Sequence, residues 1–179
     1  MHNMENVVTT RLYLVPFKLE IVKAAMIGNA ELASILGVTV LPNWCEEEFL
    51  QNLPGIADIL CKYPLQGEWG WGSLIIHKAE NTLIGHTMVK IIPDSTGSPT
   101  GSLEIGYFIV PSYRQQGYAS EATKATIDWT FCQPSVQKVT AGCDPDNIAS
   151  KRVLEKIGMH LIESRKNVLI WELCKTATI

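Results

Sequence analysis

Arg114, Gly117 and Ala119 fall within the stretch YRQQGYASEA (113–122), directly ahead of a segment patterned as a helix. Backbone N–H groups at a helix start lack an intrahelical acceptor and lie at the positive end of the helix dipole. A loop that wraps those groups around an anion needs small residues where the backbone comes close, and Gly117 and Ala119 supply them. Arg114 adds a permanent positive charge. The chemistry this spacing suits is the holding of a pyrophosphate at the end of a strand. The plain alternative is a strand-to-helix turn in which glycine solves a steric problem. The stretch lacks the Gly-Lys-Ser/Thr of a P-loop and the Gly-x-Gly-x-x-Gly of a dinucleotide fold.

Such a loop needs a strand before it and a helix after it. The tract SLEIGYFIV (102–110), closed by Pro111, reads as the strand. Over 118–132, Tyr118, Ala122, Ala125, Trp129 and Cys132 recur at helical spacing and form one apolar face. Upstream, TTRLYLVPF alternates like a strand, and a helical region runs through LEIVKAAMIGNAELASIL, weakened at Gly28 and stopped near Gly37. Residues 38–70 are punctuated by Pro42, Pro54, Gly55, Pro64 and Gly67, with the acidic helical piece EEEFLQNL between them. GWGSLIIHK and LIGHTMVKII pair as a hairpin across AENT, and PDSTGSPTG is a polar loop. After Pro134, VQKVTAGC is a strand, DPDN caps the helix IASKRVLEKIG, and MHLIESRKNVLIWEL closes as a hairpin. The expected class is α/β (α+β), with a mixed, mostly antiparallel sheet flanked by helices.

With 179 residues, the chain is expected to form one domain over 1–179, and 46% hydrophobic against 18% charged residues argues against disorder. A net charge of −3 with no Lys/Arg run gives no electrostatic case for a nucleic-acid partner. No apolar run is long enough to span a bilayer, and the N-terminus does not read as a secretory signal. Five dispersed cysteines, never in a CxxC pair, argue for free thiols in a reducing, cytoplasmic setting. Four scattered histidines offer no metal site.

IVPSYRQQGYASEA resembles the acetyl-CoA signature of the GNAT superfamily of N-acetyltransferases, in which a strand, a proline, R/Q-x-x-G-x-G/A and a helix follow in that order. Ala119 stands in place of the commoner final glycine. DNIASKRVLEKIGM is similar to the family's second segment, and TTRLYLVPF with WGSLIIHK and LIGH extends the likeness to nearly the whole chain. The match points to the RimJ/RimL-like, ribosomal-protein alanine acetyltransferase-like branch. The resemblance implies a sheet splayed at the acetyl-CoA site, between SLEIGYFIV and VQKVTAGC. Backbone groups of Ile109 and Val110 would bond the pantetheine amides. Arg114, with Gln115, Gln116, Gly117, Tyr118 and Ala119, would hold the pyrophosphate, and Asn147 and Ser150 would contact the cofactor arm. The cosubstrate is acetyl-CoA, with no metal.

The activity implied is transfer of acetyl from acetyl-CoA to a primary amine by direct attack in a ternary complex. Such a reaction needs a neutral amine, a stabilised oxyanion and a thiolate able to leave. The Val110 N–H is the expected oxyanion donor. Strand alternation puts Glu104 on one face with Gly106, Phe108 and Val110, which makes Glu104 the candidate base; a solvated carboxylate or an ion pair is the other reading. His86 is the second candidate. Many family members carry a tyrosine where Leu154 stands, so Ser150 becomes the expected donor to the sulfur, against a capping role. Cys143 is either an acetyl carrier or a small buried hydrophobe.

Trp44, Trp69 and Trp71 lie where the branch builds an acceptor wall and read equally as core, and Glu46, Glu47 and Glu48 either attract a cationic amine or form a solvated helix start. A peptide N-terminus or a small amine both remain open as acceptor. The hairpin with Trp171 either completes the sheet or forms a homodimer contact. A non-catalytic acyl-CoA-binding or regulatory module on the same fold, and a nucleotide-binding protein using the same loop, are the alternatives.

Overall fold

The computed structural model describes residues 6–176. Strands β1 (Val7–Val8) and β2 (Leu12–Pro16) lead into helices α1 (Leu19–Ile27) and α2 (Asn29–Leu36), then the two-residue strand β3 (Thr39–Val40). Helices α3 (Glu47–Lys62) and α4 (Pro64–Trp69) precede three strands, β4 (Ser73–His77), β5 (Thr82–Pro93) and β6 (Pro99–Ile109). Helix α5 (Tyr118–Phe131), strand β7 (Lys138–Cys143) and helix α6 (Ile148–Lys156) follow. The hairpin β8 (His160–Arg165) and β9 (Val168–Cys174) ends the series.

The strands form one sheet in the order β1-β2-β4-β5-β6-β7-β9-β8, with β3 beside β5. Only β3–β5 and β6–β7 run parallel; the other ladders are antiparallel, as expected for this class. Two apolar layers cover the sheet. Leu74, Ile76 and Leu83 meet Phe17, Val22, Leu53 and Leu60 beneath α1 and α3. Ile75, Ile84 and Ile109 meet Tyr118 and Ala122 of α5 on the opposite face. Every residue of β4 is buried, because it is covered from both sides.

Helix α3 departs from the sequence reading. Pro54 and Gly55 were expected to punctuate, yet the helix runs through both. A proline inside a helix costs about 3 kcal/mol. Burial of Leu53, Ile56 and Leu60 on one face, each worth roughly 1.5–3 kcal/mol, outweighs that cost. The polar loop after β5 is also shorter than expected. Asp94 Oδ1 accepts from the backbone N–H of Thr96 at 2.8 Å and of Ser98 at 3.0 Å, closing a tight turn that lets both strands continue. On α5 the buried face takes in Thr123, Thr126, Ile127 and Thr130, whereas Cys132 is exposed. The C-terminal hairpin completes the sheet: Trp171 is buried opposite Ala141 of β7, not at the surface.

Candidate active site

The parallel ladder between β6 and β7 is short. It joins Ser102 to Lys138, Leu103 to Val139 and Glu104 to Thr140, and no further pairs form. Beyond Glu104 the strands part, as the family resemblance implied, and the β6 edge from 105 to 109 faces a gap. The Val110 N–H donates to the Ile84 carbonyl at 2.8 Å, and the Val110 carbonyl accepts from Tyr113 N–H at 2.9 Å. This corrects the expectation placed on Val110, whose amide is spent inside the sheet and cannot serve the cleft. Strand alternation turns the backbone of Ile109 the opposite way, toward the gap. Its carbonyl there accepts Arg114 Nε at 2.8 Å, which leaves the Ile109 N–H as the donor at that edge. Gly85 explains how β5 lies so close: a Cβ there would stand 2.0 Å from the Phe108 carbonyl oxygen.

The loop ahead of α5 has the geometry its small residues suggested. Gln115 has φ of +61° and Gly117 φ of +83°, with Gln116 between them at negative φ. Alternation of this kind gathers successive N–H groups into a concavity. Arg114 N–H donates to Pro111 O at 3.2 Å. The N–H groups of Gln115, Gln116, Gly117, Tyr118 and Ala119 donate to no acceptor among the described residues; Glu121, bonded to Gly117 O at 3.0 Å, is the first in the helix that does. Arg11, immediately before β2, braces the loop: its Nε donates to Glu121 Oε2 at 2.7 Å and its Nη1 to Gln116 O at 2.9 Å. The Tyr118 side chain turns inward, its hydroxyl 3.0 Å from His77 Nε2, so only its backbone faces the loop.

A cavity of about 930 Å³ opens between these elements. Its walls are the end of β6 (Tyr107, Phe108, Ile109), the loop and first turn of α5 (Arg114, Gln115, Gly117, Tyr118, Ala119) and the start of α6 (Asn147, Ser150, Arg152). Thus most of the expected cofactor residues meet in one place. Glu104 does not: it sits opposite Lys90 and Thr140, at the point where the strands part, and lies outside the cavity walls. The expected base is therefore not brought to the site.

At α6, Asn147 caps the helix by accepting from Ser150 N–H at 3.0 Å, while both residues also line the cavity. Leu154 is buried beneath them. A residue the sequence reading missed, Tyr107, supplies a phenol here: its hydroxyl donates to the Ser150 carbonyl at 3.3 Å. Burial pushes the Tyr107 pKa up, with a smaller contribution from nearby Cys143, so the phenol keeps its proton at neutral pH. The signal was present, since a tyrosine on β6 opposite a helix lacking one could have been noticed. Cys143 is buried and its sulfur accepts the Trp171 indole N–H at 3.3 Å, which fits packing rather than acetyl carriage.

Glu46 comes from the other layer. It precedes α3, makes no capping bond to that helix, and is the one cavity-lining side chain that stands before Tyr107 in the sequence. Its Oε2 lies 3.0 Å from His86 Nε2. His86 is 5% exposed and stacks between Phe49, at 4.0 Å, and Phe108, at 5.9 Å, with Trp44 edge-on. Burial raises the Glu46 pKa, but the bond from His86 and the charges of His86 and Arg114 outweigh it and hold the carboxyl below its usual range. Among the described residues, no cluster of three or more His, Cys, Asp or Glu side chains could hold a metal. Nor is any helix long and apolar enough to cross a membrane.

Residues 11–160 match the Acetyltransferase (GNAT) domain family. The uncharacterized N-acetyltransferase YjdG of Bacillus subtilis strain 168 is 32% identical over 154 residues, which is 86% of this chain and 88% of that one. A ribosomal-protein alanine acetyltransferase from Vibrio fischeri shares the fold with a TM-score of 0.67 at 15% identity, across 96% of this chain and 97% of that one. RimL, a ribosomal-protein alpha-N-acetyltransferase crystallised with coenzyme A, does so with a TM-score of 0.65 at 17% identity, across 95% and 98%. At these identities the two structures establish the fold shared with RimJ/RimL-type enzymes.

Proposed function

The chain belongs to the GNAT acetyltransferase family, and from that premise we propose that it moves an acetyl group from acetyl-CoA to a primary amine by direct attack in a ternary complex. The observation that carries this reading is the run of unengaged N–H donors from 115 to 120 at the mouth of a cleft opened by the parting of β6 and β7. A diphosphate fits that cradle because the donors converge, the helix dipole favours negative charge there, and Arg114 stands beside it. The pantetheine arm would then run along the free edge of β6, beyond the last rung of the β6–β7 ladder.

In the reaction, the amine nitrogen attacks the thioester carbonyl, the C–S bond breaks, and the amine loses a proton while the thiolate gains one. The Ile109 N–H is the donor suited to the oxyanion, since it points into the gap on a fixed strand; such a donor lowers a barrier by roughly 3–4 kcal/mol. Tyr107 and Ser150 are the hydroxyls suited to the departing sulfur. Both line the cavity at the start of α6, and Tyr107 remains protonated until well above neutral pH. Asn147 fixes that helix start through Ser150 N–H. Five free cysteines fit a reducing compartment.

The test is acetyl-CoA titration by calorimetry, followed by thiol release with a panel of peptide N-termini and small amines. The expected result is micromolar cofactor binding and acceptor-dependent release. Binding without release across a broad panel would overturn the transfer reading.

A further inference from the structure

We propose that Glu46, held by His86, is the group that anchors the acceptor as a cationic amine, so that the second substrate enters through the α3 face of the sheet. The inference rests on the acetyl-transfer reading and names the substrate class of that site. Three observations carry it. The cavity passes from one face of the sheet to the other: the 115–119 cradle belongs to the α5 layer, whereas Glu46 belongs to the α1–α3 layer. A cofactor seated from one side leaves the opposite mouth for its partner.

Second, the carboxylate is aimed, not free. Glu46 stands at the N-cap position of α3, yet its side chain gives no capping bond to that helix and spends one oxygen on His86 Nε2 at 3.0 Å. Its neighbours Glu47 and Glu48 lie outside the cavity walls. A carboxylate only accepts, so His86 Nε2 carries the proton. The other ring nitrogen, Nδ1, is buried without a partner.

Third, the carboxylate is left available to a cation. Glu46 has no ion pair with a lysine or arginine among the described residues. Arg114 is the nearby cation, but it is committed elsewhere: its Nε holds the Ile109 carbonyl and its guanidinium lies 5.3 Å from the Phe108 ring centroid. Glu46 is half exposed, at 46% of its side-chain surface, so one oxygen can reach an incoming ammonium. Because its pKa is held low, it binds the ammonium rather than accepting its proton. Phe49 and Phe108 clamp His86 flat, which makes His86 a positioning residue.

The experiment uses the full chain with Glu46→Gln, Glu46→Asp, His86→Ala and His86→Gln. Thiol release is measured with tyramine, spermidine and an alanine-initiated peptide, and with hydroxylamine as an acceptor uncharged at neutral pH. Tyramine binding to the coenzyme A complex is measured separately by calorimetry. Glu46→Gln should raise the KM and Kd of the cationic amines by about tenfold to a hundredfold, through loss of a charge-assisted contact. The KM of acetyl-CoA and the use of hydroxylamine should change by less than twofold. His86→Ala should follow in part, and His86→Gln, which restores an N–H donor, should recover most of the loss. Lost tyramine binding without turnover in any variant would support the anchor while overturning acetyl transfer. Equal amine KM and Kd in Glu46→Gln and the unsubstituted chain, or no amine affinity in either, overturns the anchor.

Discussion

The two ends of the cleft are built in opposite ways. The cradle at 115–119 is a contiguous piece of chain whose function depends on backbone conformation: positive φ at Gln115 and Gly117, and N–H groups with no internal acceptor. The Glu46 end is assembled from three distant pieces, the start of α3, His86 of β5 and Phe108 of β6, and depends on side-chain chemistry. A site made of main chain tolerates many side chains but not a change in backbone geometry or charge. A site made of side chains is free to change its ligand one residue at a time. The difference suggests that cofactor and acceptor recognition can be separated by substitution.

The strongest break in that comparison is expected from Ala119→Glu. Ala119 lines the cavity in the first turn of α5, and a carboxylate there would face the ligand's diphosphate. Like charges brought together cost several kcal/mol, so the acetyl-CoA Kd should rise more than about a hundredfold. Calorimetry reads the loss, and a thermal midpoint close to that of the unsubstituted chain would show that the fold survives. Tyr107→Phe sharpens the same comparison on the chemical step. Removing the phenol should lower kcat about tenfold while leaving the acetyl-CoA Kd within twofold, since the hydroxyl is bonded only to the Ser150 carbonyl. A Ser150→Ala variant with the larger fall in kcat would give the proton-donor role to Ser150 instead.

This asymmetry also decides what the sequence could reveal. The cradle was legible because its requirements are local: Arg114, Gly117 and Ala119 stand within six residues, ahead of a patterned helix. The two strand tracts flanking that helix were legible too, but their parting was implied only by the family resemblance. Glu46 and His86 are forty residues apart in sequence and meet only through packing of α3 on the sheet. Nothing in EEEFLQNL separates Glu46 from its two neighbours. The length of α3 was hidden for a related reason, because burial of Leu53, Ile56 and Leu60 overrides the local signal of Pro54. Val110 failed as a donor on a matter of parity: one residue along a strand reverses the direction of the amide.

A smaller effect is expected from Arg11, which ties the cradle to β2. Arg11→Ala removes the bonds to Gln116 O and Glu121, and should raise the acetyl-CoA Kd about fivefold by loosening the loop, each such bond being worth on the order of 1 kcal/mol. Its partner sets an acid limit. Burial raises the Glu121 pKa, but bonds from Thr9 and from the Arg11 N–H and guanidinium outweigh it, so the folded value lies below the usual carboxylate value of 4.5. A depressed pKa contributes stability that is present above the unfolded value and is lost as pH falls through the folded one. Thermal melts from pH 6 downward should therefore show a decline below about pH 4.5, and Glu121→Gln should flatten part of it.

Glu104→Gln should have the smallest effect, and it tests whether the parting of the strands is a boundary or part of the chemistry. Glu104 forms the last rung of the β6–β7 ladder and stands opposite Lys90. It lies outside the cavity walls, three residues before Tyr107, the closest β6 position that lines them. Its Cβ shares the strand face of Phe108, which packs on His86, so its side chain lies on the acceptor layer while remaining set back from the cleft. A base must come within hydrogen-bond reach of the attacking nitrogen, directly or through one water. If Glu46 anchors the ammonium, that nitrogen is held at the α3 mouth, and the proton can leave to solvent without help from β6. On this geometry kcat for Glu104→Gln should stay within about threefold of the unsubstituted chain at every pH, since general-base contributions are typically a hundredfold or more. A fall of a hundredfold confined to kcat, recovered as pH rises, would instead place the amine at the fork of the strands and make Glu46 an entry residue only.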